Sequence, residues 1–189
     1  LDFESIHAID LERFSEDIRR LMAGETVIPP VFDFKQGLSL PGHEELTIPE
    51  GGIMIIEGIH GLNPELLKDI DDRFKFKIYV SALTQLNMDG HNRISTTDVR
   101  KIRRIIRDHR KRGWSPEETL ELFTRVRKGE KKYIFPYQAE ADEMFNTTLV
   151  YELPILKKHA MPLLTAIDKT SPAYDEAHRL VSMLNFVED

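Results

Sequence analysis

The feature that most limits the fold of this chain is a short apolar run at residues 53–56, Ile-Met-Ile-Ile, which ends at Glu57. Its hydrophobicity is continuous rather than alternating, which is typical of a β-strand buried on both faces. A short helix is predicted to follow from Asn63, and an alternating strand from residue 74 to residue 80. Strand, helix and strand in this order predict an α/β fold, with a parallel sheet flanked by helices.

The other periodic patterns extend this outline. They predict a helix at 10–24, a hairpin-like excursion within 26–49 with strands at 31–34 and 46–48, a buried strand at 147–151, and helices at 154–164 and 172–185. No internal repeat or linker interrupts them, so we expect a single domain over residues 1–189.

Composition narrows the classes of partner. The formal net charge is -6, which disfavours a nucleic-acid partner because such binding needs a surplus of Lys and Arg. No cysteine is present, which fits a reducing cytoplasm, the location we expect. No apolar run approaches the ~20 residues of a membrane span, so no membrane partner is expected. The oligomeric state is left open, with a homo-oligomer among the options.

Positive charge is concentrated in one segment. Residues 100–112 hold eight Lys and Arg residues and one acid, Asp108. Helical spacing places three of them on one side: Arg100, Arg104 and Arg107. Their guanidinium groups could converge on a polyphosphate. The alternative is a solvated face that pairs with Asp98 and Asp108, and the sequence leaves both interpretations open.

Local signals bound this basic helix and the next one. A Ser or Thr at 95–97 can cap its start, and Gly113 can end it. Ser115 and Glu118 then form a capping box around Pro116, which predicts a second helix directly after a tight corner.

Two residues beside the predicted buried strand are candidates for chemistry. Glu57 would lie at the carboxyl end of that strand, where open α/β sheets bind ligands and an acid can organise Mg²⁺ or its waters. The alternative for Glu57 is a cap on the following turn. His60 would lie near the same sheet edge and could contact substrate, although a lone histidine is more often structural.

One phosphate-binding motif is absent from the sequence, the P-loop G-x-x-x-x-G-K-[ST]. Its backbone amides and lysine would hold the phosphates of a nucleotide. We therefore expect a fold that is incomplete at the N-terminus and a chain that is inactive alone.

Several segments, in order, resemble the uridine kinase and phosphoribulokinase family of P-loop kinases. They are Asp33-Phe34 and residues 53–59, 76–80, 103–108 and 112–113. Residues 57–66 and 81–87 more closely resemble a longer bacterial branch with threonyl-tRNA synthetase-like N-terminal domains. The resemblance implies a P-loop NTPase-like sheet, a helical lid at about residues 93–130, and a P-loop and catalytic Asp upstream of Leu1.

The resemblance also implies a reaction: ATP-dependent phosphoryl transfer, with Mg²⁺, to a uridine- or cytidine-like nucleoside or a related small hydroxyl compound. Glu57 would be the acid of the metal–water network, and Arg104 and Arg107 would be catalytic. Arg107 and Arg112 would bind the nucleotide. The substrate-binding candidates are Glu4, Phe32 and His60.

Four departures from the family pattern leave the phosphate acceptor open. Gly37 stands where a base-reading His is usual, Phe32 replaces a Tyr, Trp114 a lid Arg and Leu122 a Gln. A site built to hydrogen-bond a base loses discrimination without those groups. Two alternatives also stay open: an RNA- or tRNA-related binding module that uses the basic helix, and a catalytically inactive kinase-like scaffold.

Overall fold

The computed structural model of the chain describes residues 4–33 and 36–188. The α-helices and strands in this part are α1 (Leu11–Met22), β1 (Val31–Asp33), β2 (Leu38–Leu40), β3 (Ile78–Ser81), α2 (Thr96–Arg112), α3 (Pro116–Tyr133), β4 (Glu143–Asn146), α4 (Glu152–Thr165) and α5 (Tyr174–Leu184). Short 3₁₀-helices occur at Ile6–Ala8, Pro64–Leu67, Asp72–Phe74 and Phe135–Glu140. Phe34, part of the predicted hairpin, lies outside the described residues.

The chain divides into two compact units, which are described separately below. The first comprises Leu1–Tyr79 with Lys128–Glu143, and the second comprises Val80–Arg127 with Met144–Asp189. No helix in the described part of the chain is long and apolar enough to cross a membrane.

The predicted hairpin is confirmed in the first unit, with a different second strand. β1 and β2 pair antiparallel, with Phe32 opposite Ser39. Gly37 has a positive φ of 67°, and its N–H donates to the Asp33 carbonyl at 2.7 Å. This tight turn returns the chain at residue 38. The prediction of a strand at 46–48 is wrong, because Leu46 forms an isolated antiparallel bridge with Val27 rather than a strand.

The α/β class is confirmed by the pairing of β3 with β4. The Asp142 N–H donates to the Lys77 carbonyl at 2.9 Å, and the Thr147 N–H donates to the Ser81 carbonyl at 2.9 Å. The partners advance along both strands in the same direction, so the pair is parallel.

The boundaries of these two strands differ from the prediction. β3 begins at Ile78 rather than residue 74, because Asp71 caps a 3₁₀ turn at Asp72–Phe74. The strand predicted at 147–151 is wrong: β4 lies just before it, at Glu143–Asn146, and a turn then leads into α4.

The prediction of a buried strand at residues 53–56 is also wrong. The segment has no strand assignment, and Ile53 and Ile55 are 90% and 89% exposed. An apolar run becomes a buried strand only where other strands bond its backbone and helices cover its faces. No strand in the described part of the chain pairs with it, so Glu57 follows an exposed, irregular segment.

Helix prediction was more successful, because helix ends depend on local groups. Asp10 caps α1 by accepting the Arg13 N–H at 3.0 Å, as expected. The predicted short helix after Asn63 is the 3₁₀-helix Pro64–Leu67. The two predicted final helices are α4 and α5, within two residues of the expected bounds.

The core of the second unit is helical and contains the predicted basic helix. Ser95 caps α2, and Gly113 ends it with a left-handed φ of 69°. The capping box of α3 is present, since the Glu118 N–H donates to Ser115 Oγ at 3.1 Å and the Ser115 N–H donates to Glu118 Oε2 at 2.7 Å. The apolar side of α2 packs into one core with α4 and α5.

Candidate functional site

Three arginines of α2 are gathered on one buried carboxylate in the second unit. Arg107 Nε donates to Asp108 Oδ1 at 2.9 Å. Arg112 Nη1 lies 3.2 Å from the same oxygen, and Arg104 Nε lies 3.2 Å from Oδ2. The Asp108 side chain is 0% exposed. Of the predicted site residues, the structure therefore brings Arg104, Arg107 and Arg112 together.

Asp108 also shapes the corner that follows α2. Its carbonyl accepts the N–H groups of Gly113 and Trp114, the latter at 3.3 Å. The Arg112 guanidinium lies 5.9 Å from the centre of the Trp114 ring. Trp114, one of the departures from the family pattern, is therefore held beside the arginine cluster by the same residue.

The cluster carries an excess of positive charge, since three guanidinium groups share one carboxylate. Their side chains are 21% (Arg104), 49% (Arg107) and 26% (Arg112) exposed. Partly exposed guanidinium groups held side by side suit an anion with several oxygens, such as a polyphosphate. Pairing with Asp108, the alternative interpretation of the basic run, is confirmed, while polyphosphate binding stays a prediction.

Other basic residues of α2 pair with α4 and α5. Arg103 bonds Glu152, and Lys101 bonds Glu176. Arg110 Nη2 lies 2.9 Å from His159 Nδ1. These pairs occupy positive charge that the sequence alone left available.

A second acidic residue of α2 is held by α5. Asp98 accepts two hydrogen bonds from Arg179, at 2.6 and 3.0 Å, and Arg179 also donates to Glu176 at 2.8 Å. The hydrogen bond from Arg179, with a further one from Lys101, lowers the pKa of Glu176 to about 2. In turn, the carboxylates of Glu176 and Asp98 raise the pKa of Arg179. Glu176 and Arg179 are therefore both charged in the neutral range.

His60 and Glu4 are neighbours in the first unit. His60 is 4% exposed, and its ring meets Tyr133 edge-on with centroids 6.4 Å apart. Burial lowers the pKa of His60 from its usual 6.5, and the nearby backbone groups of Glu4 and Ser5 partly oppose this shift. Its ring nitrogens make no hydrogen bond of normal geometry within the described residues. The imidazole is therefore neutral near pH 7.

The position of Glu4 depends on a glycine that sequence reasoning missed. A Cβ on Gly129, in α3, would lie 2.6 Å from Glu4 Cβ and 2.8 Å from Glu4 Cγ. Real Cβ atoms essentially never come so close, so Glu4 occupies this place only beside a glycine. The available signal was a lone Gly inside a helical pattern, which often has a packing reason.

Glu57 and Phe32 lie on exposed segments of the first unit. Within the described residues, no group of three His, Cys, Asp or Glu side chains could hold a metal ion. Mg²⁺ is usually bound through one or two carboxylates, with phosphate oxygens and water completing its shell. An exposed acid such as Glu57 fits that manner of binding.

The class of the protein follows from a comparison with family models. Residues 1–152 match the model of the Phosphoribulokinase / Uridine kinase family, and the chain belongs to this family. The predicted family resemblance is thus confirmed, and the fold class of the family is that of the P-loop NTPases.

Individual relatives include two bacterial uridine kinases. The chain is 30% identical over 136 residues to the uridine kinase of Bacillus pumilus (strain SAFR-032), and the aligned residues make up 71% of this chain and 56% of that protein. It is 29% identical over 142 residues to the uridine kinase of Clostridium novyi (strain NT), and here the aligned residues make up 75% of this chain and 60% of that protein. The chain thus spans little more than half the length of the curated relatives it matches.

Proposed function

We propose that the protein takes part in phosphoryl transfer from ATP to a hydroxyl group of a nucleoside or a related small compound. The observation that carries this proposal is the group of three arginines on the buried Asp108 carboxylate, in a chain of the Phosphoribulokinase / Uridine kinase family. Phosphoryl transfer places most of the catalytic burden on positioning and on charge stabilisation. A fixed guanidinium cluster supplies both.

The arginines have distinct roles in this proposal. Arg104 and Arg107 stabilise the negative charge that spreads over the oxygens of the transferred group. Arg107 and Arg112 bind the nucleotide phosphates. All three are already oriented by Asp108 before an anion arrives, which reduces the side-chain ordering that binding requires.

Glu57 is proposed as the residue that holds Mg²⁺ through water. When bound, Mg²⁺ neutralises charge on the phosphate oxygens. The Glu57 carboxylate is exposed and can accept hydrogen bonds from the waters around such an ion. Its part is to fix where those waters lie.

The acceptor side of the reaction is assigned to Glu4, Phe32 and His60. A neutral His60 can donate one hydrogen bond and accept another, which suits a substrate hydroxyl. The Glu4 carboxylate can accept from the hydroxyls of a sugar. Phe32 is 46% exposed and can stack on a base. We include both compact units in one kinase domain, with residues 93–130 as its lid.

Arg107→Ala in the full-length protein tests the proposal. We expect turnover with MgATP and a nucleoside panel to fall by about 10²–10³, as on loss of a donor to developing charge. Arg19→Ala is a matched control, because Arg19 pairs with Glu16 at 2.8 Å on the exposed side of α1. Turnover that is unchanged in Arg107→Ala would contradict the role of the cluster.

A salt titration of RNA binding separates this function from the nucleic-acid alternative. Lys101 and Arg103 are paired with Glu176 of α5 and Glu152 of α4, so less of the positive charge of α2 is available to RNA than the sequence alone indicates. We expect no RNA binding at low salt. Tight binding that weakens steeply with salt would favour the RNA-binding module instead.

A further inference from the structure

The α4–α5 pair, residues Glu152–Leu184, lies almost wholly outside the family match, which ends at residue 152. It is nevertheless joined to the basic helix α2. Val99, Ile102 and Ile105 of α2 are 0% exposed and share one core with Ala160 of α4 and Leu180 of α5. The segment beyond the family match therefore covers the apolar face of the helix that carries the arginines.

Polar contacts from the α4–α5 pair lie along both edges of this apolar face. At 3.6 residues per turn, Lys101 falls along one edge of it, and the buried Asp98 lies on the same side, between Ile105 and Ile102. They are held by Arg179 and Glu176 of α5. Both contacts tie this edge of α2 to α5.

The other edge of the face is held from α4. Arg103 and Arg110 lie there, seven residues apart, and they contact Glu152 and His159. A helix tied along both edges cannot rotate about its axis without breaking ion pairs on one side.

The side of α2 opposite the apolar face carries Arg104 and Arg107. Since rotation of α2 would move these side chains away from any fixed ligand, the contacts along the two edges set the direction of Arg104 and Arg107. Asp108 gathers the guanidinium groups, and the α4–α5 pair sets the direction in which Arg104 and Arg107 face.

We propose that the α4–α5 pair is a brace that fixes the rotation of α2, with Glu152, Glu176 and Arg179 as positioning residues for the phosphate-binding arginines. The brace acts on the arginines through α2 and does not touch substrate. This inference rests on the proposed function insofar as the arginines bind phosphate. Its structural part, the restraint on α2, stands on the contacts alone.

The test compares two double variants of the full-length protein. Glu152→Gln with Glu176→Gln removes one carboxylate from each edge of α2. Glu16→Gln with Glu25→Gln is the matched control, since these residues pair with Arg19 and Arg20 at 2.8 Å in the first unit. Binding of inorganic tripolyphosphate is measured by calorimetry, and the exchange of α2 amide hydrogens is measured by mass spectrometry.

We expect the brace variant to bind tripolyphosphate about three- to tenfold more weakly, and its α2 amides to exchange faster. The control should match the wild type in both. With MgATP the KM for ATP should rise, while the KM for the acceptor stays the same. A merely structural role would lower the unfolding midpoint and leave the affinity of the folded protein unchanged.

Failure of the brace can be told from failure of the proposed function. Wild-type protein that does not bind tripolyphosphate would overturn the phosphate site itself. If the wild type binds tripolyphosphate and a folded brace variant binds it with equal affinity, the brace is overturned. If the double variant does not fold, the single Glu176→Gln change replaces it, since that side chain is 33% exposed. Unaltered affinity in the single variant would also overturn the brace.

Discussion

Glu4 lies against helix α3 at a point where residue 129 has no side chain. Glycine in a helix interior costs up to about 1 kcal/mol relative to alanine, so Gly129 is unfavourable for α3 taken alone. The contact with Glu4 makes glycine the favoured residue at this position. An added Cβ would meet Glu4 Cβ and Cγ, which lie close to the backbone, rather than the flexible end of the side chain.

Gly129→Ala should therefore destabilise the protein in spite of the better helix propensity of alanine. We expect the free energy of unfolding in urea to fall by about 1–3 kcal/mol, the usual cost of overpacking. If Glu4 binds the acceptor, the KM for the acceptor should rise as well. Adding Glu4→Gly removes the clashing atoms and should recover much of the stability. A Gly129→Ala variant that is more stable than the wild type would contradict the contact.

His60 provides a test based on pH. Burial lowers its pKa in the folded protein, so folded His60 stays neutral at a pH where the unfolded chain takes up a proton. Its contribution to stability is complete above pH 6.5 and is lost progressively as the pH falls below 6.5. A group with a lowered folded-state pKa must act in this direction.

His60→Phe should remove that dependence. The difference in unfolding free energy between pH 7.5 and pH 5.5 is expected to be smaller in His60→Phe than in the wild type. Loss of two buried nitrogens without normal hydrogen bonds should also stabilise the fold. His43→Asn, a change at an exposed position, is the control. An equal pH dependence in His60→Phe and the wild type would show that His60 is not buried in neutral form.

At the scale of single elements, the sequence predicted most reliably what neighbouring residues decide. Ser95 and Gly113 bound α2 as expected, and the Ser115–Glu118 box starts α3, because each cap involves groups within a few residues. The strand predicted at 53–56 failed, since strand formation and burial need partners from distant parts of the chain.

The candidate site divides in the same way. The approach of Arg104 and Arg112 to Asp108 follows from their i,i+4 spacing, which the sequence contains, whereas the contact of Arg107 with the adjacent Asp108 does not. The approach of Glu4 to Gly129 joins residues far apart in sequence, and no periodicity indicates it. The pairing of Lys101 and Arg103 with acids of α4 and α5 was hidden for the same reason.

The ion pairs between α2 and α5 should make the stability of the protein depend on pH in the acidic range. Hydrogen bonds from Arg179 and Lys101 lower the pKa of Glu176 from 4.5 to about 2. A carboxylate with a lowered folded-state pKa contributes stability above pH 4.5 and loses it as the pH falls towards 2. With allowance for solvent screening of a partly exposed group, this contribution is about 1 kcal/mol.

Glu176→Gln measures that contribution. The variant should be less stable than the wild type at pH 6, and the difference should shrink as the pH is lowered to 3. Asp175→Asn, at an exposed neighbouring position on α5, should show a much smaller difference. A difference for Glu176→Gln that stays constant from pH 6 to pH 3 would mean that the carboxylate is not charged through its pairing with Arg179 and Lys101.

For the molecule as a whole, the exposure of the apolar run at residues 53–56 is the departure from the predicted buried strand. The described residues include many large apolar side chains that are exposed to solvent, among them Ile53, Ile55, Phe76 and Val150. In the chain of residues 1–189, the side chains of Ile53 and Ile55 lie on the surface rather than in the core.

Ile53→Ser with Ile55→Ser in this chain decides between the exposed segment and the predicted buried strand. Side chains 90% and 89% exposed lose little on replacement, so the free energy of unfolding should change by less than about 0.5 kcal/mol. Binding of a hydrophobic dye should decrease, because apolar surface is removed. Ile105→Ala is the buried control and should cost about 2–5 kcal/mol, since Ile105 is 0% exposed. A cost in the double variant as large as that of Ile105→Ala would mean that residues 53–56 form the buried strand after all, and that Glu57 lies at its carboxyl end.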